Sequence, residues 1–281
     1  MPILYLVATP IGNLEDMSPR AQRVLREVRL IAAEDTRHSR KLLDHFDIKT
    51  PLTSFYEHNQ RAKLDTVLAE LNLGNVALIS DAGMPGINDP GYLLVIGALD
   101  AGHEISPIPG PSAPLAALAA SGLPTDHFLY MGYLPLKSND RKHALETVAE
   151  LPYTLIFLES PHRLLESLDD LHQVLGDRQI SVAAELTKIY ERFFRGSLSD
   201  ALIHFKKEPA RGEFTLILEG AKPESTGWDR TRVQRAIETE LDEDASPSQL
   251  SRRIAAESGW PRSKVYDLVQ EIRRKHSETE R

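Results

Sequence analysis

The chain has 281 residues, 41% of them hydrophobic and 26% charged, with 33 basic and 41 acidic side chains, a net charge of −8 at neutral pH, and no cysteine. This composition excludes disulfides, thiol nucleophiles and cysteine-ligated zinc or iron–sulfur centres. It argues against a uniformly basic nucleic-acid binder while leaving room for a local basic surface. The N-terminal MPILYLVATPIGN lacks the charged region and long apolar run of a signal peptide. No apolar run approaches the ~20 residues of a membrane helix, so a cytoplasmic location is expected.

Apolar runs of strand length alternate with amphipathic stretches from the first residues. ILYLVAT (3–9) precedes SPRAQRVLREV, where Ser18 is placed to cap and Pro19 suits a first helical turn. LIAAE (30–34) precedes TRHSRKLLDHF, and VALIS (76–80) runs into SDAGMPGINDPG and then the helical pattern YLLVIGALDAG, with Gly102 just past its end. EISPIPG leads to PSAPLAALAASG, in which LAALAASGLP suits either a core helix or a subunit interface. A second series follows from about His127: FLYMGYL, a helix over 138–150, TLIFLE (154–159), the helix PHRLLESLDDLHQVL, ISVAAE (180–185) and FTLILEG (214–220). Near-continuous apolar strands between helices predict sheets covered on both faces. The expected fold class is therefore α/β: two tandem α/β domains, 1–120 and 121–222, with a cleft between them, plus a small C-terminal helical domain within 223–281. AKPESTGWD (221–229) has the composition of a linker. Beyond it, 230–281 is wholly helical in pattern, with two short helices around a turn containing Gly259 suggesting a helix-turn-helix. From Arg252 to Lys275 seven basic residues face three acidic ones, the charge signature of a nucleic-acid contact.

Ligands of open α/β sheets bind beyond the carboxyl ends of the strands. Four of the expected strands end in acids: Glu34-Asp35, Asp81, Glu159 and Glu185. Any one of them alone is best explained as a helix cap; together they suggest an acidic cleft suited to a cationic ligand. The glycine-rich loop 80–91 contains no lysine or arginine. Neither a P-loop nor a dinucleotide fingerprint is present, and no pair of histidines has metal-ligand spacing. His58 and His162 are more readily explained as hydrogen-bonded histidines than as ligands.

ATPIGNLEDMSPRA, LIAAEDTRHSRKLL, LISDAGMPGINDPG, PIPGPSA, LIFLESPHRLL, AAELTKIYERFFRG and GEFTLILEG, in this order, resemble the tetrapyrrole-methylase superfamily, and within it the small-subunit ribosomal RNA methyltransferase I family. The resemblance covers residues 1–220 and extends to the helical tail. It implies S-adenosyl-L-methionine as methyl donor, no metal, and 2′-O-methylation of a cytidine ribose in the decoding region of 16S rRNA within the 30S subunit. It also implies a homodimer. The donor carries a sulfonium, an ammonium and a carboxylate but no phosphate, which suits a loop without basic side chains. The implied donor contacts are Pro10, Ser80, Asp81, Ala82, Gly83, Met84, Ser112, Ala113, Leu158, Glu159, Ala184 and Phe214, with the N–H groups of Ala82, Gly83 and Met84 approaching the methionine portion. Met84 stands where the family usually has threonine, and Leu158 where an aromatic is common. Candidate proton acceptors are Glu34, Asp35, His58 and Glu185. Candidate RNA contacts are Arg37, Arg163, Lys188, Arg195, Arg252, Arg253, Arg262, Lys264, Arg273, Arg274 and Lys275. Two other readings are weighed against this one. A methylase of small tetrapyrroles has no need of a basic helical tail. A ligand-sensing helix-turn-helix regulator leaves the polar strand ends unexplained.

Overall fold

The computed structural model describes residues 1–208, 212–222, 228–241 and 246–279, with side chains described to Arg274. Residues Met1–Gly220 form one compact unit and Ala221–Arg281 another. The expected linker, 221–229, lies partly outside the described residues, as does the side chain of Lys275.

The first sheet is entirely parallel, in the order β3-β2-β4-β1-β5, from β1 (Ile3–Val7), β2 (Leu30–Ala33), β3 (Leu52–Ser54), β4 (Val76–Ile79) and β5 (Glu104–Ile108). Alternate residues point to opposite faces of each strand. Val7, Ile31, Ala33, Ala77, Ile79 and Ile108 pack on one face with α1 (Pro19–Glu27) and α2 (Thr36–His45). Leu4, Ala32, Val76 and Leu78 pack on the other with α3 (Gln60–Leu73) and α4 (Tyr92–Asp100). Ser18 caps α1 by accepting from the Ala21 amide, with Pro19 in the first turn as expected. The chain leaving β1 goes to one face and the chain leaving β4 to the other, so a crevice opens between the carboxyl ends of these neighbouring strands.

α5 (Ala113–Ser121) then carries the chain to a mixed sheet, β6-β7-β10-β8-β9, made of β6 (Phe128–Tyr133), β7 (Thr154–Glu159), β8 (Gln179–Ala184), β9 (Arg192–Ser197) and β10 (Phe214–Leu218). Only β6 and β7 pair in parallel; β10 runs antiparallel to β7 and β8, and β9 to β8. Leu155, Phe157, Ile180, Val182, Leu216 and Leu218 face a core shared with α6 (Ser138–Glu146), α7 (Leu164–Leu175) and α8 (Leu198–Lys207). Ile156, Ala183 and Ile217 face Ala117 and Leu118 of α5. Both sheets are thus covered on both faces. Within LAALAASGLP, Ala117, Leu118 and Ser121 are buried and Ala117 and Leu118 join this internal packing, while Leu115 is exposed.

Arg195 fixes α5 to the second sheet, donating from β9 to the carbonyls of Ala120 and Ser121 and stacking over Phe193. On the far side, Arg141 of α6 is 1% exposed; it pairs with Asp170 of α7 at 2.6 Å and donates to the carbonyls of Pro135 and Leu136. The helix expected over 138–150 ends at Glu146, and the one expected from Pro161 begins at Leu164.

The C-terminal unit packs α9 (Arg230–Glu240), α10 (Pro247–Ser258) and α11 (Arg262–Thr279) around Val233, Ile237, Leu250, Ile254, Val265 and Val269. Gly259 ends α10 in the left-handed conformation, as its place in the expected turn requires. No helix among the described residues is long and apolar enough to cross a membrane.

The Arg141–Asp170 pair generates a stability prediction. Burial raises the Asp170 carboxyl, but hydrogen bonds from Ser138, Arg141 and Lys142 outweigh it and hold the group below its ordinary value. Its contribution is therefore present above the unfolded carboxyl pKa and is lost as pH falls through the depressed folded value. Arg141→Leu leaves the buried carboxylate with only Ser138 and Lys142 and is expected to cost about 3 kcal/mol in urea denaturation at neutral pH, the low end for breaking a buried pair. The loss should shrink in acid and be largely repaired by adding Asp170→Leu.

Candidate active site

Two hydrogen bonds fix the floor of the crevice. The Thr9 amide donates to the Gly83 carbonyl at 2.9 Å, and the Gly83 amide donates to the Thr9 carbonyl at 3.0 Å. Thr9 Oγ1 adds a bond to the Ser80 carbonyl. The loops after β2 and β4 are clasped in the same way: the Asp81 amide donates to Glu34 Oε2 at 3.3 Å, and the Asp35 amide donates to Asp81 Oδ1 at 3.2 Å. The loop after β1 meets the second sheet through Gly12, where a Cβ would lie 2.7 Å from the Leu186 carbonyl oxygen. That carbonyl belongs to a turn after β8 in which Glu185 and Thr187 both take positive φ, 53° and 64°.

These contacts bound a cleft of about 850 Å³ between the sheets. From the first sheet come Glu34, Asp81, Ala82, Gly83, Met84, Asn88, Asp89, Pro107, Ser112 and Ala113. From the second come Phe128, Tyr130, Tyr133, Leu158, Glu185, Lys188, Glu213, Phe214 and Thr215. Tyr130 and Tyr133 are an odd number of residues apart and would face opposite sides of a regular strand. A register shift between Tyr130 and Gly132 removes one residue from the pairing and brings both rings into the cleft. Gly132 takes φ 65°, and a Cβ there would fall on the Asn88 side chain.

Negative charge dominates. Glu34, Asp81, Asp89, Glu185 and Glu213 line the cleft, and Lys188, the one basic lining residue among the described residues, bonds Glu185 at 2.9 Å. Burial raises the Glu34 carboxyl, reinforced by the charges of Asp89, Asp81 and Asp35 against a hydrogen bond from the Asp81 amide. Burial also raises Asp89, helped by Asp81 and Glu213 and opposed by a hydrogen bond from Ser80. Burial and then Asp89 push the Tyr130 hydroxyl up to about 12. Among the described residues no group of three or more His, Cys, Asp or Glu side chains is placed to hold a metal.

Of the residues singled out in the sequence, Glu34, Asp81, Ala82, Gly83, Met84, Ser112, Ala113, Leu158, Glu185, Lys188 and Phe214 line the cleft. Others serve elsewhere. Asp35 caps α2 and pairs with the exposed Arg37. His58 is exposed, its ring edge-on to Tyr56. Glu159 is fully buried, accepting from Ser167 and pairing with Arg163, whose guanidinium also holds the Leu134 and Pro135 carbonyls. Arg163 and Arg195 are thus engaged in internal contacts. Pro10, Ser80 and Ala184 do not line the cleft; Ser80 and Ala184 are buried. The Gly83 amide is committed to Thr9, which leaves the Ala82 and Met84 amides without partners among the described residues. Asp89, Tyr130, Tyr133 and Glu213 also line the cleft, and no sequence motif marks them as site residues. Asp89 sits within the glycine-rich loop that drew attention, whereas the two tyrosines depend on a bulge with no sequence signature of its own.

The tail arginines are unevenly engaged. Arg253 pairs with Glu240, and Arg262 donates to Ser248 Oγ. Arg252 and Lys264 are exposed and make no ion pair among the described residues. Arg273 is half-buried and Arg274 exposed.

The tetrapyrrole (corrin/porphyrin) methylase family model matches residues 3–202. The ribosomal RNA small subunit methyltransferase I of Synechocystis sp. is 46% identical over 275 residues, covering 97% of this chain and 99% of that protein. The Bacillus subtilis protein of that name is 41% identical over 273 residues, covering 95% and 94%. Among solved structures, the uroporphyrin-III C-methyltransferase of Thermus thermophilus complexed with S-adenosyl homocysteine aligns with a TM-score of 0.53 at 20% identity, covering 78% of this chain and 97% of that one. A diphthine synthase aligns with a TM-score of 0.57 at 13% identity, covering 78% and 90%. These structural likenesses concern the fold alone.

The raised carboxyl of Asp89 has a measurable consequence. A carboxyl raised by folding costs stability when ionised, and that cost is relieved as pH falls through the raised value. Asp89→Asn should therefore raise the Tm of the ligand-free protein at neutral pH, by about 2–4 °C for each kcal/mol relieved. Differential scanning fluorimetry across pH should show the gain disappearing in acid.

Proposed function

Because the chain belongs to the ribosomal RNA small subunit methyltransferase I family, within the tetrapyrrole (corrin/porphyrin) methylases, we propose that it transfers a methyl group from S-adenosyl-L-methionine to the 2′-oxygen of a cytidine ribose in the decoding region of 16S rRNA, in the cytoplasm. The observation that carries this reading is the charge of the cleft, where among the described residues five carboxylates face a single lysine already bonded to one of them. Such a site disfavours a phosphate-bearing cofactor and favours a cationic one.

When bound, the donor supplies a methyl group activated by a sulfonium. Asp81 and Asp89 would offset its positive charge. The unpartnered Ala82 and Met84 amides would hold its carboxylate, while Ser112, Ala113, Leu158 and Phe214 would enclose the remainder. Glu34 takes the proton from the ribose hydroxyl as the oxygen attacks. Among the acceptors considered, it combines a position on the cleft with a raised pKa, which brings its basicity nearer to neutral pH. Alignment of the two reactants supplies much of the rate.

The C-terminal unit engages RNA through Arg252, Arg253, Arg262, Lys264, Arg273, Arg274 and Lys275. In support, it has its own apolar core and a basic stretch in an otherwise acidic chain. The assembly is a homodimer. Tyr92, Ile96 and Leu99 form an exposed apolar stripe at i, i+4 and i+7 on α4, as a helix covered by a second copy would.

Incubation with labelled S-adenosylmethionine and undermethylated 30S subunits, followed by nucleoside analysis, should yield labelled 2′-O-methylcytidine; label on another nucleoside, or none, sinks this reading. Glu34→Gln should lower kcat by about 10²–10⁴ while donor affinity stays within a few fold. A chain ending near residue 228 should bind the donor normally and 30S weakly, with a shallower salt dependence. Light scattering should give about twice the 31.4 kDa chain mass; a monomer at all concentrations would rule out the dimer.

A further inference from the structure

A second, smaller pocket lies beside the acidic cleft and has the opposite character. It is an open surface depression of about 550 Å³ lined by Thr36, Arg37, Arg40, Leu52, Thr53 and Ser54, with no carboxylate among them. Arg37 and Arg40 are three residues apart on α2 and so share a helix face. Arg37 is held at the rim by Asp35, with its own side chain 89% exposed. Arg40 differs: it is half-buried, yet among the described residues its guanidinium makes no hydrogen bond and no ion pair. Its guanidinium therefore has five donors and no acceptor to offer an anion that enters the pocket. The walls add hydroxyl donors. Ser54 Oγ accepts from Asn59 Nδ2 at 3.0 Å, leaving its proton to give. The hydroxyls of Thr36 and Thr53 make no bond among the described residues. The α2 amides are not part of the site, because Asp35 already caps that terminus.

Position gives the pocket its meaning. Glu34 lines the cleft and Thr36 lines the pocket. Their Cα atoms are at most ~7 Å apart, a span within one nucleotide. We propose that the pocket around Arg40 binds the backbone phosphodiester flanking the methylated nucleotide, with Arg40 as a positioning residue that sets the register of the RNA strand so that one ribose enters the cleft. The inference rests on the RNA-methyltransferase reading above. It adds a division of labour in which one site of each sign, adjacent in the chain, holds the two reactants apart from each other's charge. A phosphodiester is refused by five carboxylates, and a sulfonium is refused by two guanidiniums.

The test is Arg40→Gln in the full chain, measured against undermethylated 30S subunits. Loss of a charge-assisted contact should raise KM for 30S about tenfold or more, with kcat little changed and affinity for S-adenosylmethionine unchanged. The slope of log affinity against log salt should become shallower by nearly one contact. Arg40→Lys should restore that slope while recovering only part of the affinity, because an ammonium supplies the charge without the fork. Unchanged KM and salt slope in Arg40→Gln, with wild-type enzyme active on 30S, would overturn the proposal while leaving the methyltransferase reading intact. Inactivity of the wild type on 30S would instead overturn the reading beneath it. A fall in Tm together with loss of donor affinity would make Arg40 a structural residue. Saturation of the pocket by inorganic phosphate without any effect on 30S binding would make it a free-anion site; either result rejects the RNA assignment.

Discussion

The paired hydrogen bonds between Thr9 and Gly83 hold the molecule's working end together. β1 and β4 are neighbours whose outgoing chains depart to opposite faces of the sheet, so the space beyond their ends would be open and its loops unsupported. Tying the two loops by main-chain bonds, with Thr9 Oγ1 taking the Ser80 carbonyl as a third, converts that space into a floor. The rest builds outward from it. The β4 loop is held in place to accept the Asp35 amide on Asp81, and Glu34 is drawn to the Asp81 amide in return. The chain after Thr9 continues to Gly12, where the absence of a side chain admits the turn after β8 and thereby the second sheet.

The electrostatics follow from this geometry and run against stability. Glu34 and Asp89 are brought together with Asp81 in a half-buried place, and their carboxyls rise in response. A core chosen for stability alone would not gather uncompensated like charges. Functional sites do so because a ligand of the opposite charge supplies what the empty protein lacks.

Much of this architecture is legible in the sequence, and what is not has identifiable causes. The central strands are buried on both faces, so VALI or TLIFLE appears as an unbroken apolar run that stands out. β3 is three residues long, and β9, RFFRGS, is an edge strand whose polar side chains hide its pairing with β8. α3 has no clear sequence pattern because its buried positions, Val67 and Leu71, are few and its alanines blur the periodicity. At the site, the acids were visible as strand-end residues, but their fates were not. Asp35, Asp81, Glu159 and Glu185 occupy similar places in the sequence, yet one caps a helix, one is buried against Arg163 and two face the cleft. Which of these occurs depends on contacts from elsewhere in the chain, Ser167 and Arg163 for Glu159 and the glycine-rich loop for Asp81, and these only the fold supplies.

The bulge in β6 carries a consequence for how this cleft can change over time. Strand alternation is a parity rule, and Tyr133 faces the cleft because the register shift beside Gly132 counts one residue out. No exchange of one side chain for another can undo that arithmetic, because it is set by the pairing with β7. Deleting Met131, the residue that the shift leaves unpaired, would make the strand regular and put Tyr130 and Tyr133 two residues apart, still opposite Ile156 and Leu158 and still on the cleft side. The two rings on this wall therefore survive loss of the bulge residue, and sending one of them to the far face would take a slip of the whole downstream pairing register.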